Sequence, residues 1–170
     1  GGYTRQYMVS RAPTQVAAAE QSPMPQRTIA IASDHAGFEL KEILKSDLVE
    51  MGEAVLDLGT HDEESVDYPD FAYAVSGALR DGKADIGVLV CGTGIGISIA
   101  ANRHPDIRAA VVHDALGARL TRQHNDANVI CFGGRVIGSE VARDCLRIFL
   151  ATEYEGGRHA RRVDKLSNPR

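Results

Sequence analysis

The sequence predicts an α/β fold: a Rossmann-like three-layer sandwich on a parallel sheet of about five strands. Two observations carry this expectation. From Thr28 onward, short apolar runs alternate with segments of helical periodicity. The chemically distinctive residues also fall just after those runs. Strands alternating with helices through right-handed crossovers give a parallel sheet covered on both faces. Ligands in such sheets bind beyond the carboxyl ends of the strands.

The elements follow in order. Thr28–Ser33 (TIAIAS) reads as a buried strand. Leu40, Ile43, Leu44, Leu48 and Met51 recur at helical spacing, and Gly52 closes that helix. Ala54–Leu58 is a second strand, and a polar loop over Thr60–Pro69 leads into a helix across Asp70–Arg80. Ile86–Cys91 (IGVLVC) is the most apolar strand, and its glycine-rich turn opens a helix at Gly96–Asn102. Strands at Arg108–Val112 and Asn128–Phe132, with helices at Ala115–His124 and Ser139–Leu150, complete the series.

Residues 1–26 carry Gly1, Gly2, Pro13, Pro23 and Pro25 and sustain neither period. They read as an N-terminal extension or leader outside the core. Residues 27–170 then form a single domain that ends in a helical tail. A chain of 170 residues accommodates one well-buried domain. Its 44% apolar and 25% charged residues have the balance of a soluble globular protein. The net charge of −4 argues against nucleic acid, whose binders carry excess Lys and Arg. No apolar run reaches the roughly 18 residues of a membrane span. Cys91, Cys131 and Cys145 form no C-x-x-C pair, and such free thiols suit a reducing cytoplasm.

Polar residues gather after the strands: Asp34 and His35, Cys91 with Gly92–Gly96, His113 and Asp114, and Gly133, Gly134 and Arg135. The glycine loop frees the backbone to turn while aiming amides outward at a helix start, where anions are favoured. A dinucleotide fingerprint would need glycine at Ile97, and no Gly-Lys-Ser/Thr follows to make a phosphate-clamping P-loop. A plain tight turn, or a nest for phosphate or an enediolate oxygen, remains. Cys91 abuts that loop, where the thiolate form of a cysteine is favoured. Cys131 and Cys145 sit in apolar patterns and read as small core hydrophobes.

The six histidines show no H-x-x-x-H or H-x-H spacing, so a metal site lacks its usual scaffold. His124 falls where a helix ends and has a capping reading beside a functional one. Arg158 and Arg162 share one side of a helix at i,i+4 spacing, either as a solvated face or as a clamp for one phosphate.

The segments SDHAGFELK (Ser33–Lys41), DYPDFA (Asp67–Ala72), CGTGIGISIAANR (Cys91–Arg103), RQHNDANV (Arg122–Val129), GGRVIG (Gly133–Gly138) and YEGGRHARRV (Tyr154–Val163) together resemble type B ribose-5-phosphate isomerase. The similarity covers Ile29 to Val163. It implies interconversion of ribose 5-phosphate and ribulose 5-phosphate, in the non-oxidative branch of the pentose phosphate pathway. It also implies no metal or other cofactor, and a homodimer with sites near the subunit interface. One branch of the family uses cysteine as the base and another a glutamate in the glycine-rich loop. With no acidic residue between Gly92 and Asn102, this chain fits the cysteine branch. Galactose-6-phosphate isomerase subunits share parts of these motifs, so a six-carbon substrate such as galactose 6-phosphate or allose 6-phosphate is the alternative. A non-catalytic sugar-phosphate-binding module is a third reading.

The resemblance gives roles to particular residues. Cys91 takes the C2 proton, His124 opens the ring, and Asp34 moves protons between O1 and O2. Backbone amides of Gly92, Thr93, Gly94, Ile95 and Gly96, with the Thr93 hydroxyl, hold the enediolate oxygen. His35, Arg135, Arg158 and Arg162 grip the phosphate, and Asn125 bonds sugar hydroxyls.

Overall fold

A computed structural model of the chain describes residues 27–170, and the extension expected over residues 1–26 lies outside them. Five strands and six helices alternate: β1 (Thr28–Ser33), α1 (Phe38–Glu50), β2 (Ala54–Asp57), α2 (Tyr68–Arg80), β3 (Ile86–Cys91), α3 (Ile95–Ala101), β4 (Ala109–Val111), α4 (Ala115–Gln123), β5 (Val129–Gly133), α5 (Ser139–Ala151) and α6 (Ala160–Ser167). Short 3-10 turns occupy His35–Gly37 and Gly157–His159. No helix among the described residues is long and apolar enough to cross a membrane.

The strands are parallel and run in the order β2-β1-β3-β5-β4. The chain moves outward from β1 to β2, then crosses back to β3 and continues the other way. The order therefore reverses between β1 and β3, the switch point at whose carboxyl ends sheets of this kind form a ligand crevice.

Side chains alternate across the sheet with the period of two expected of strands. Ile29, Ile31, Val88, Val90, Ile130 and Phe132 pack with Leu44 and Leu48 of α1, Ala118 of α4, and Leu146 and Phe149 of α5. Ala30, Ala32, Leu89, Cys91, Val129 and Cys131 pack with Ala72 and Val75 of α2 and with Ile97 and Ala101 of α3. Burial on both faces is why the strands read as continuous apolar runs. The α2 layer sits close because Gly87 has no side chain: a Cβ there would meet Val75 Cγ1 at 2.6 Å.

The boundaries depart from expectation where local chemistry intervenes. Helix α2 starts at Tyr68, two residues before the predicted Asp70, since Pro69 suits a first helical turn. Strand β4 keeps only Ala109–Val111 of the predicted Arg108–Val112, and Asn128 Oδ1 takes the Arg108 amide at 2.8 Å. Arg158 lies in the second 3-10 turn and Arg162 on α6, so a single helix does not carry both.

One feature of α4 positions the site. The helix begins after the carboxyl end of β4 and runs back antiparallel to the strands. His124 caps its end. Asp126, two residues on, accepts from Arg108 Nε through its backbone oxygen at 2.8 Å, and Arg108 immediately precedes β4. His124 therefore lies at the amino edge of the sheet.

Candidate active site

The carboxyl edge gathers the first group of expected residues at the β1–β3 crevice. Strand β3 ends at Cys91, whose side chain is 4% exposed on the α2/α3 face. The chain then turns through Gly94 at φ +79°, and this bend brings the Gly94 amide back onto Cys91 Sγ at 3.1 Å. A donor aimed at sulfur stabilises negative charge there. Ile95 donates its amide to Thr93 Oγ1 at 3.2 Å. The Thr93 hydroxyl accepts that bond and still has its own proton to give.

Glycine is required at this turn by packing as well as by φ. A Cβ on Gly94 would lie 2.9 Å from the Phe132 carbonyl carbon, and one on Gly133 would lie 2.6 Å from Thr93. The loops after β3 and β5 thus touch backbone to backbone. Gly134 donates its amide to the Cys91 oxygen at 2.8 Å, and Arg135 donates its amide to the Gly92 oxygen at 3.0 Å. These bonds bring the Arg135 guanidinium to 3.3 Å from where a Gly92 Cβ would stand.

The loop after β1 closes the other side. Asp34 is 6% exposed and accepts the Gly37 amide through Oδ1 at 3.0 Å, capping the His35–Gly37 turn. Half-buried His35 accepts the Val66 amide at Nδ1 across 3.1 Å. In the neutral ring the proton then sits on Nε2, so His35 presents a donor to an anion.

The second group lies elsewhere. His124, Asn125, Arg158 and Arg162, with His159, Val163 and Leu166, line a cavity of about 400 Å³ at the amino edge. The two groups are separated by the length of the sheet, about 16 Å for a five-residue strand such as β5 at ~3.3 Å per residue. One chain does not bring His124, Asn125, Arg158 and Arg162 to Cys91. Within one chain the two groups stand at opposite edges of the sheet, because α4 reverses direction before it reaches His124. A larger cavity of about 810 Å³, lined by Arg27, Glu53, Arg122 and Tyr154 among others, holds none of the expected residues.

Two residues without an assigned role join these groups. The Tyr68 ring lies against the glycine loop, with its Cζ 2.7 Å from where a Gly96 Cβ would be. The DYPDFA segment contained this tyrosine, but nothing local to it indicated a partner 28 residues later. His159 is 6% exposed. Its ring stacks on His124 with centroids 4.3 Å apart and planes 16° apart. Burial, then the nearby His124 and Arg158 charges, hold the His159 imidazole below the ordinary histidine value; Glu155 acts in the opposite sense, and Arg162 adds to the lowering.

His124, Glu155 and His159 bring potential ligand atoms within 4.8 Å of one another, a grouping that sequence spacing did not reveal. The stack works against a shared ion. Imidazole lone pairs lie in the ring plane, and two nearly parallel planes 4.3 Å apart do not converge on one point about 2.1 Å from each nitrogen.

The cysteines separate by environment. Cys131 is fully buried, and burial followed by the Cys91 charge pushes its thiol far up. Burial, then the Asp144 and Asp114 charges, raise Cys145. Neither is placed to act as a base, which fits their reading as core hydrophobes.

Comparison with known proteins places this geometry. The chain is 48% identical over 141 residues to ribose-5-phosphate isomerase B of Escherichia coli, covering 83% of this chain and 95% of that one. It is 42% identical over 140 residues to the D-erythrulose-4-phosphate isomerase of Pectobacterium atrosepticum, covering 82% and 92%. The crystal structure of a ribose 5-phosphate isomerase from Thermotoga maritima matches at a TM-score of 0.82 and 52% identity, over 83% of this chain and 97% of that one. The family profile for ribose/galactose isomerase matches residues 29–166, and the chain belongs to the ribose/galactose isomerase family.

Proposed function

We propose that the chain interconverts ribose 5-phosphate and ribulose 5-phosphate through an enediolate, with Cys91 as the carbon-proton base. The observation that carries this is the Cys91 sulfur at the end of β3, bonded to the Gly94 amide at 3.1 Å. Its glycine loop flanks the crevice that Asp34 and His35 close from β1.

The mechanism divides into steps. His124 opens the furanose, because an imidazole both donates and accepts protons near neutral pH. Cys91 thiolate takes the C2 proton, forming an S–H bond while the C2 electrons move into the enediolate. Loop amides and the Thr93 hydroxyl meet the charge that develops on oxygen, and one such donor is worth about 2.7–4 kcal/mol. Asp34 passes a proton between O2 and O1 through its uncapped oxygen, and Cys91 returns its proton to C1. His35, Arg135, Arg158 and Arg162 hold the phosphate, whose remote binding energy offsets the cost of orienting the reacting carbons.

The separation of His124 from Cys91 supports a two-fold dimer in which each site takes Cys91 from one chain and His124, Asn125, Arg158 and Arg162 from its mate. Ile95, Ile99, Leu116 and Val136 are each more than half exposed on α3, α4 and the loop after β5. A second copy would cover this apolar surface. The three unpaired, buried cysteines suit the cytoplasm.

The test has two arms. NMR of the purified chain with ribose 5-phosphate, with and without EDTA, should show ribulose 5-phosphate forming at the same rate in both. No ketose would sink the activity, and rescue only by a divalent ion would sink the metal-free mechanism. Mixing refolded Cys91→Ala and His124→Ala chains should restore about a quarter of wild-type activity, since half of random dimers are mixed and each has one complete site. No recovery would overturn the shared site.

A further inference from the structure

We propose that His159 is a positioning residue, whose buried imidazole is the platform that fixes the His124 ring for opening the sugar and ties it to the phosphate grip. This rests on the isomerase reading above and adds to it a residue that touches neither the reacting carbons nor the phosphate.

The local backbone explains how the platform is built. Gly156 and Gly157 adopt φ of +64° and +55°, a region other residues rarely enter. They feed the 3-10 turn that carries His159. This turn is fastened to the helix that bears His124: Glu155 donates its amide to the Gln123 oxygen at 3.1 Å, and Arg122 Nε donates to the Thr152 oxygen at 3.2 Å. The two imidazoles, 35 positions apart in the chain, are thereby held face to face at 4.3 Å.

The chemistry suits a neutral partner. Arg158 Nε donates to His159 Nε2 at 3.4 Å, and a nitrogen that accepts has no proton of its own. The groups around the ring are His124, Arg158, Arg162 and Glu155, whose Oε2 is 3.7 Å from Nε2. A ring kept neutral among these lets His124 gain and lose a proton without a like charge stacked on it. The Nε2 contact gives Arg158 a fixed neighbour as well, so one side chain connects ring opening to phosphate binding. A histidine free to rotate would lose its proton path, and a misplacement near 1 Å costs about a hundredfold in rate.

The experiment uses the full chain and separates ring opening from carbon-proton transfer. Ribulose 5-phosphate is acyclic, because the oxygen that would close a five-membered ring on C2 carries the phosphate. Cys91 can break its C1–H bond, exchange the resulting S–H proton with deuterated water, and return deuterium to C1. His124 is not needed for that exchange. His159→Ala should lower kcat for ribose 5-phosphate by about a hundredfold, while deuterium wash-in at C1 of ribulose 5-phosphate stays within about threefold of wild type. His159→Phe keeps a flat ring and should recover kcat to within about tenfold of wild type, with a raised KM because Arg158 loses its acceptor. Equal loss of isomerisation and wash-in in His159→Ala would mean a merely structural role and overturn the proposal. So would unchanged kcat in His159→Ala, or a Phe variant no better than Ala. A wild-type chain that neither isomerises nor exchanges pentose phosphates would instead overturn the isomerase reading itself.

Discussion

The Gly94 amide and the Cys91 sulfur close a four-residue turn, N–H to Sγ at 3.1 Å, at the carboxyl end of β3 beside β1. The contact needs Gly94 at φ +79° and tolerates no side chain there. One turn therefore both places the Cys91 sulfur beside the loop amides and gives it a hydrogen-bond donor.

Cys91→Ala removes the thiol proposed as the carbon-proton base. We expect kcat for ribose 5-phosphate to fall at least about a hundredfold, within the usual span of a general base. Circular dichroism and the thermal midpoint should change little. Cys131→Ala and Cys145→Ala should keep activity and lose about 1 kcal/mol of stability each. A Cys91→Ala variant retaining a tenth of wild-type turnover would show that another group is the base.

Gly94→Ala forces a Cβ to 2.9 Å from the Phe132 backbone at a left-handed φ. The conformation costs about 1–2 kcal/mol, and the overlap adds roughly 1–3 kcal/mol. Both Tm and kcat should drop. Gly52→Ala is the control, because Gly52 has φ +80° but a Cβ there meets nothing within 4 Å. It should lower Tm less and leave kcat alone. Differential scanning calorimetry with steady-state kinetics reads both effects.

Asp57 links stability to acid. Lys41 is fully buried, and its Nζ meets both Asp57 oxygens at 2.8 and 2.9 Å. Burial raises the Asp57 carboxyl, but the Lys41 bond, the Gly59 amide and the Lys45 bond outweigh it and hold it down to about 2. A folded value below the unfolded ~3.9 means the contribution is complete above about pH 4 and is lost as pH falls toward 2. Chemical denaturation from pH 6 to pH 2 should show that loss. Asp57→Asn should flatten it and, by leaving the buried Lys41 ammonium with Glu42 as its remaining carboxylate, cost about 3 kcal/mol or more at neutral pH.

In the proposed mechanism, substrate length follows from the spacing between the phosphate grip and Cys91. An added carbon shifts C1 and C2 by about a bond length, enough for about a hundredfold loss. We expect kcat/KM for ribose 5-phosphate to exceed that for allose 6-phosphate or galactose 6-phosphate by at least about tenfold. Unphosphorylated ribose should be poorer still. Arg158→Ala should narrow the gap between ribose 5-phosphate and ribose, mainly by harming the former. Side-by-side kinetics on wild type and variant check this, and a preference for either hexose phosphate would reassign the substrate.

How far the sequence reached can be judged residue by residue. The β1 and β3 bounds, Thr28–Ser33 and Ile86–Cys91, were legible because a strand buried on both faces is a continuous apolar run. Gly52 marked the end of α1 because a helix end favours left-handed glycine. The link between Cys91 and the glycine loop was also legible, since the thiol and the amides through Gly96 lie within five positions of one another. Lys41 gave no such signal. It looked like any surface lysine on an amphipathic helix, and only its partner at the end of β2 reveals a buried ion pair.

By itself, the sequence determined the alternation of elements, the sheet, and which turn holds Cys91, because each depends on interactions a few residues apart. Only the tertiary structure decided that His124 stands at the opposite edge from Cys91, that His159 stacks on it, and that Tyr68 covers Gly96. These relationships join residues 28 or more positions apart. They are set by the direction in which α4 returns along the sheet and by how close two loops pack, and neither leaves a periodic trace in the chain.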